Sequence, residues 1–245
     1  SFSNFYLACL GQIPWSAVPA IPPEIVRLPR WFYFHLDKVS AWTRTMILPL
    51  ALVTTLRPTR SLGEALGIDE LFVDQSQRHR LTMREETPRF WGLFFRSVDS
   101  MLKLLHDPLS GTRFRRNSIQ RSLEWILERA GQDGDAATDG LGAIFPPMVY
   151  LQVVLMAHGY SRDHPVVRRA EEELDDFFIE DSPERIRIQP CFSPVWDTGI
   201  ALYALADCGF TAADEPAARA AAWLRSRECR FQGDWIRNVR GSVPF

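Results

Sequence analysis

Cysteine is scarce in this sequence: Cys9, Cys191, Cys208 and Cys229 are scattered through 245 residues, with no Cys-x-x-Cys pair. That excludes a disulfide scaffold and a cysteine-built metal site, and implies reduced thiols in a cytosolic protein. The five histidines show no ligand spacing of the His-Glu-x-x-His kind. Charge of one sign is also lacking. A formal net charge of −2 gives no support for nucleic-acid binding, which usually leaves a basic excess. The local run Arg113-Phe114-Arg115-Arg116 is therefore expected to be a solvated helix face. No apolar run approaches the roughly 20 residues of a membrane span; Thr45–Leu56 is shorter and contains Pro49. The opening has no basic region before its apolar residues, and four prolines interrupt it, so no secretory signal is visible. The chain begins at Ser1 rather than methionine, which leads us to expect a fragment. Strand signals are almost absent, Arg185–Ile188 being the best.

What is present is helical punctuation. Phe2, Phe5, Tyr6, Cys9 and Leu10 share one face of a helix that ends by Gly11. A proline-rich connector follows to Pro23, where Pro22-Pro23-Glu24 opens a short helix. Ser40 is placed to cap the next, with Trp42, Met46, Ile47, Leu50 and Val53 on its buried side. Residues 58–88 are polar and irregular, with at most a short turn at 63–66.

Phe90–Leu105 has the length of a helix and more aromatic surface than one packed stripe needs. Trp91, Phe94, Phe95, Val98, Met101, Leu102 and Leu105 make a broad face, with Arg96, Asp99, Ser100 and Lys103 marking the polar one. Such a face fits either a membrane interface or a doubly buried core helix.

Further helices are expected at 117–130, 146–158, 165–178, 194–208 and 216–230. This half repeats itself. Phe145-Pro146-Pro147 precedes a helix ending at Gly159-Tyr160, and Asp163-His164-Pro165 starts another. Roughly fifty residues on, Phe192-Ser193-Pro194 precedes a helix ending at Gly209-Phe210, and Asp214-Glu215-Pro216 starts the next. Trp125-Ile126-Leu127-Glu128-Arg129 is echoed by Trp223-Leu224-Arg225-Ser226-Arg227. A repeated helical hairpin buries its apolar faces only by stacking on neighbours, which gives a solenoid or a closed α/α toroid. The fold class is all-α.

The most informative stretch is Gln189-Pro190-Cys191-Phe192-Ser193-Pro194-Val195-Trp196-Asp197-Thr198. Its prolines forbid a helix running through, and Ser193 with Pro194 suits a helix start. Trp196 and Asp197 then lie in the first turn, where the helix dipole favours a carboxylate. On this stretch alone, a core tryptophan and a dipole-satisfying carboxylate would suffice.

This stretch resembles the squalene–hopene cyclases, and the likeness does not stand alone. Gly11-Gln12-Ile13-Pro14-Trp15, Val18–Glu24, Leu28-Pro29-Arg30-Trp31-Phe32, Ser40-Ala41-Trp42-Thr43-Arg44 and Asp139–Pro147 resemble the same family in the same order. The resemblance implies two α/α barrels, with residues 1–180 the later part of the inserted one and 181–245 the opening of the second. It implies that Trp42 and Trp196 line the cavity. Ile144 and Pro146 would lie where the last cation loses a proton or meets water, with Asp197 adjacent. Phe145 stands where some members have glutamine, which puts the polar handling of that water in doubt. The partial repeat motifs Gly134-Asp135 after Trp125, and Glu228 with Gly233-Asp234-Trp235, are departures from the family's Gln…Gly-x-Trp pattern.

The resemblance also implies squalene as substrate, no cofactor or metal, and a peripheral seat on the cytoplasmic face of the inner membrane. Trp91, Phe94, Phe95, Val98, Met101 and Leu102 would face the lipid; a homodimer is admitted. Family members protonate the alkene with an Asp-x-Asp-Asp motif, and none occurs in this sequence. The chain alone is therefore expected to be inert. Two rivals follow. The acidic run Asp175–Asp181 suggests a magnesium and diphosphate site, but it lacks a second acidic cluster. The missing acid suggests a non-catalytic membrane-associated toroid half acting with a partner chain.

Overall fold

Local chemistry sets the helix boundaries in the computed structural model, which describes residues 2–63, 66–74, 88–130 and 140–228. Ser40 Oγ accepts the amide of Thr43 at 3.2 Å and opens α2, Ala41–Leu56, after α1, Phe2–Cys9. Thr112 Oγ1 accepts the amide of Arg115 at 3.2 Å and opens α4, Arg113–Arg129. That start is four residues before the expected Asn117, because the threonine cap outweighs the polar composition of the first turn. The aromatic helix α3, Arg89–Ser110, runs five residues past Leu105 and carries Pro108 in its last turn. Then come α5, Phe145–Ala157; α6, Pro165–Asp175; α7, Pro194–Asp207; and α8, Glu215–Ser226. The protein is mostly helical, as the punctuation predicts.

The core lies between α2, α4 and α5, closed by α1 and α6. Leu48, Leu52 and Val53 meet Leu123, Ile126, Met148, Leu151, Val154, Leu155 and Val167, all buried. Each such aliphatic side chain contributes roughly 1.5–3 kcal/mol by leaving water.

One sheet was not expected at this extent. Phe178–Ser182 (β1) and Arg185–Ile188 (β2) form an antiparallel hairpin with Phe178 opposite Ile188 and a register shift after Glu180. The expected helix to Phe178 therefore stops at Asp175. The hairpin is closed at its base, where the Gln189 amide donates to the Phe177 carbonyl at 2.8 Å. Asp181 of the acidic run sits in it, paired with Arg187 at 3.0 Å and Arg185 at 3.7 Å. Among the described residues no group of His, Cys, Asp or Glu is arranged to hold a metal ion.

The fifty-residue echo is a structural repeat. Helices α5 and α7 both end at a left-handed glycine, Gly159 (φ 81°) and Gly209 (φ 90°). In each case the next amide, of Tyr160 or Phe210, reaches back to a leucine carbonyl, Leu155 or Leu205, at 3.1 and 3.0 Å. These are Schellman closures, for which glycine is the residue of lowest strain. The tryptophan echo holds as well: Arg129 lies 4.0 Å over the Trp125 ring and Arg227 lies 5.1 Å over Trp223. The Gly-x-Trp closing segments, the turn at 63–66 and much of 58–88 lie outside the described residues.

The expected solvated run at 113–116 needs correcting. Arg115 is only 4% exposed, and its Nε donates to Glu24 Oε1 at 2.5 Å, tying α4 to the turn Pro23–Arg27. A buried guanidinium requires such a partner.

Candidate functional site

The starts of three helices meet at one end of the fold. The segment before α5 pairs with the segment before α7: the Phe145 amide donates to Pro190 O, and the Phe192 amide to Ala143 O, both at 2.9 Å. The turn Leu141–Ala143 in turn lies on α2. Gly142 approaches Thr45 so closely, at φ 77°, that any Cβ would collide with Thr45 Oγ1. That hydroxyl donates to the carbonyl of Trp42 at 2.8 Å. The chain is thus pinned between Trp42 on α2, Ile144-Phe145-Pro146 on α5, and the approach to Trp196-Asp197 on α7.

Trp42 is 45% exposed and Trp196 58%, so both present ring surface outside the packed core. Ile144 is buried, Phe145 and Pro146 half-buried, and Asp197 exposed. The core role written for Trp42 on its helix pattern is therefore not what is found. Ser193 also departs from its expected part. Its hydroxyl donates to Asp197 Oδ1 at 3.0 Å and makes no cap to the backbone, although α7 does begin at Pro194.

Sequence reasoning missed the aromatic pack behind this edge. Phe177 is fully buried, stacked on Phe192 at 4.7 Å and edge-on to Phe145 at 6.3 Å. Phe192 stood within the stretch already singled out; Phe177 had no signal beyond being an apolar residue after an acidic helix. Rings without lone pairs give this corner faces that stabilise cations and offer no nucleophile.

A second surface belongs to α3. Phe90, Trp91, Leu93, Phe94, Phe95, Met101, Leu104 and Leu105 are exposed, while Val98 and Leu102 are half-buried. Leu102 points inward, lining a cleft with Ile21, Thr54 and His106. The polar residues divide: Arg96 and Ser100 are exposed, whereas Asp99, Lys103 and His106 face the body. Asp99 Oδ1 accepts the Ala20 amide at 2.8 Å, Lys103 Nζ donates to Ser16 O at 2.7 Å, and His106 Nε2 lies 3.1 Å from Thr55 O. His106 also sits 2.9 Å from Asp107 and, by that hydrogen bond, holds the Asp107 carboxyl below the usual carboxylate range. No helix among the described residues is long and apolar enough to cross a membrane.

Deeper in the core, Tyr6 stacks on Tyr150 at 5.1 Å beside Cys9. Burial raises both phenols and pushes the Cys9 thiol up to about 11. The described cysteines, Cys9, Cys191 and Cys208, are free.

Repeated helical hairpins, an aromatic edge built on three helix starts and an outward apolar helix define an all-α protein of the terpene-cyclase type. The model of the squalene–hopene cyclase N-terminal domain matches residues 1–183, and that of the C-terminal domain matches residues 192–243. The chain belongs to the squalene–hopene cyclase family. It is 34% identical over 236 residues to a squalene–hopene cyclase of Bradyrhizobium diazoefficiens, covering 96% of this chain and 35% of that protein. It is 31% identical over 240 residues to the enzyme of Zymomonas mobilis, with the same coverage. A dammaradiene synthase of Dryopteris crassirhizoma is 32% identical over 228 residues, covering 93% of this chain and 32% of the synthase. The chain spans about a third of the length of these curated relatives.

Proposed function

We propose that this chain is part of a squalene–hopene cyclase, contributing cavity wall and membrane-facing surface to the polycyclisation of squalene into hopene- or hopanol-type triterpenes. The observation that carries this reading is the convergence of the Trp42, Phe145-Pro146 and Trp196 helix starts on one aromatic corner. Protonating a terminal alkene creates a cation that migrates along the folded polyene. Ring faces stabilise it through their quadrupole, and an apolar wall keeps water away from it. Trp42 and Trp196 would serve as those faces, and Ile144, Phe145 and Pro146 as the wall near the final cation, with Asp197 beside it. Phe145 offers no hydrogen bond to a terminal water, which favours proton loss over hydration as the last step.

The chain has no Asp-x-Asp-Asp motif, so the acid must be supplied from outside it. On this reading residues 1–180 belong to one α/α toroid and 181–245 open another, and the isolated chain is inert. No cofactor is required. The outward apolar face of α3 would rest in the cytoplasmic leaflet of the inner membrane, where squalene dissolves.

The test is Trp196→Ala in a complete enzyme, with products separated by gas chromatography and mass spectrometry. Losing a desolvated ring face worth about 2 kcal/mol is expected to slow cyclisation roughly thirtyfold, or to release incompletely cyclised products. Unchanged rate and product would overturn the assigned role.

A further inference from the structure

Helix α3 inverts the usual arrangement of an amphipathic helix. Its 22 residues extend about 33 Å. At about 100° per residue, Asp99, Lys103 and His106 fall on one stripe, and Phe90, Phe94, Met101 and Leu104 lie opposite. In an ordinary surface helix the apolar side would pack on the body. Here the polar stripe does so, and the apolar side is exposed.

What holds it is a set of charged groups bonded to backbone. Asp99 and Lys103 pair with each other at 2.6 Å, with side chains only 13% and 20% exposed. An i,i+4 pair alone would be a common surface feature of small worth. Each partner, however, also reaches a main-chain group of the connector about eighty residues earlier, Ala20 N–H and Ser16 C=O. That connector is interrupted by Pro14, Pro19, Pro22 and Pro23, so its backbone groups have few ladder or helical partners and must be satisfied from outside. His106 meets the carbonyl of Thr55, one of the last four of α2, which no intrahelical amide can reach.

We propose that Asp99 and Lys103, seconded by His106, form an orientation latch. They are positioning residues that hold the polar stripe of α3 against the connector and so keep its aromatic face turned outward. Without the latch the lowest-energy roll of this helix would bring the aromatic face onto the body, because the hydrophobic effect favours burying it. The latch rests on the membrane reading only for its purpose, since its bonds are a property of the fold.

The experiment uses the chain with Asp99→Asn, Lys103→Met and Lys103→Arg. It measures amide hydrogen exchange across α3 and co-flotation with vesicles of phosphatidylcholine containing phosphatidylglycerol. Asp99→Asn and Lys103→Met change net charge in opposite directions. Direct attraction to anionic lipid would therefore move their flotation in opposite senses. The latch predicts the same sense: both lower flotation, and both speed α3 exchange roughly tenfold, as expected for losing a charge-assisted hydrogen bond. Exchange in α2 and α5 stays unchanged, and Lys103→Arg, which keeps the charge and donors, behaves as the native chain.

Unchanged α3 exchange in both variants overturns the latch. So does exchange that rises equally in α2 and α5, because the bonds would then hold the whole fold rather than set one helix. If the native chain does not float at all, the membrane reading fails, and the exchange measurement still decides the latch.

Discussion

Gly142 carries more of the site than its lack of a side chain suggests. Its φ of 77° and its contact with Thr45 hold the turn before α5 against α2, next to Trp42. Gly142→Ala combines left-handed strain of order 1 kcal/mol with a collision, so a loss of about 2–3 kcal/mol is expected in denaturant unfolding. Gly159→Ala has the same backbone strain and open space around it. It is expected to cost only about 1 kcal/mol. Equal losses for the two would mean that the approach to Thr45 does not matter. Residue chemistry of this kind is partly legible in sequence. Ser40 as a cap and Pro194 as a first helical residue follow from propensity and are found. Ser193 is not found as a cap: its backbone, at φ −129° and ψ 55°, lies outside the extended region typical of a cap, and its hydroxyl donates to the Asp197 carboxylate.

For whole elements, α3 presents two surfaces with different tasks. Its outward residues are expected to drive lipid binding through buried apolar area, so Phe94→Gln with Met101→Gln should largely abolish vesicle co-flotation while leaving the thermal midpoint within a degree or two. Those side chains are 48% and 53% exposed and stand outside the core cluster, Phe94 meeting, among the described residues, only rings of its own helix. Retained flotation would sink the lipid-facing assignment. The periodicity of α3 gave its existence and its two faces but not which one docks. The acceptors of Lys103 and His106 are backbone carbonyls 87 and 51 residues away, and a carbonyl has no sequence signature. Arg115 was misread for the same reason, its partner Glu24 being 91 residues distant. Of the β1–β2 hairpin only the second strand, Arg185–Ile188, was legible; the first lies largely within the acidic run and is almost wholly exposed, so it shows no core alternation.

Taken as a whole molecule, the protein is most exposed to alkaline pH through its Cys9–Tyr6–Tyr150 cluster. In the folded state burial keeps these groups protonated, with the Cys9 thiol at about 11. The unfolded chain releases the thiol proton near pH 8.5–9, about two units earlier. Above that point the unfolded state binds fewer protons than the native one, so stability falls as pH rises; below it the contribution is intact. Denaturant midpoints should therefore decline between about pH 9 and 11. Cys9→Ala should remove the decline between about pH 9 and 10 and leave that of the tyrosines, which sets in as pH passes their ordinary value of 10. A native midpoint constant through this range would contradict the buried, protonated thiol. At this scale the sequence was most informative: the fifty-residue echo, carried by Gly159 and Gly209, forecast the repeated hairpins α5–α6 and α7–α8, because a left-handed cap has few alternatives to glycine.

The closed base of the β hairpin has a practical corollary. Phe177 and Gln189 are bonded to each other, so the two ends of the excursion stay together whatever lies between them. The pairing of residues 143–145 with 190–192, and with it the aromatic corner, is thereby decoupled from the hairpin tip. A fluorescent peptide or an affinity handle spliced between Ser182 and Arg185 would hang from the surface as a pendant. It would report on the chain's surroundings without disturbing the register of the helices that carry Trp42, Phe145 and Trp196.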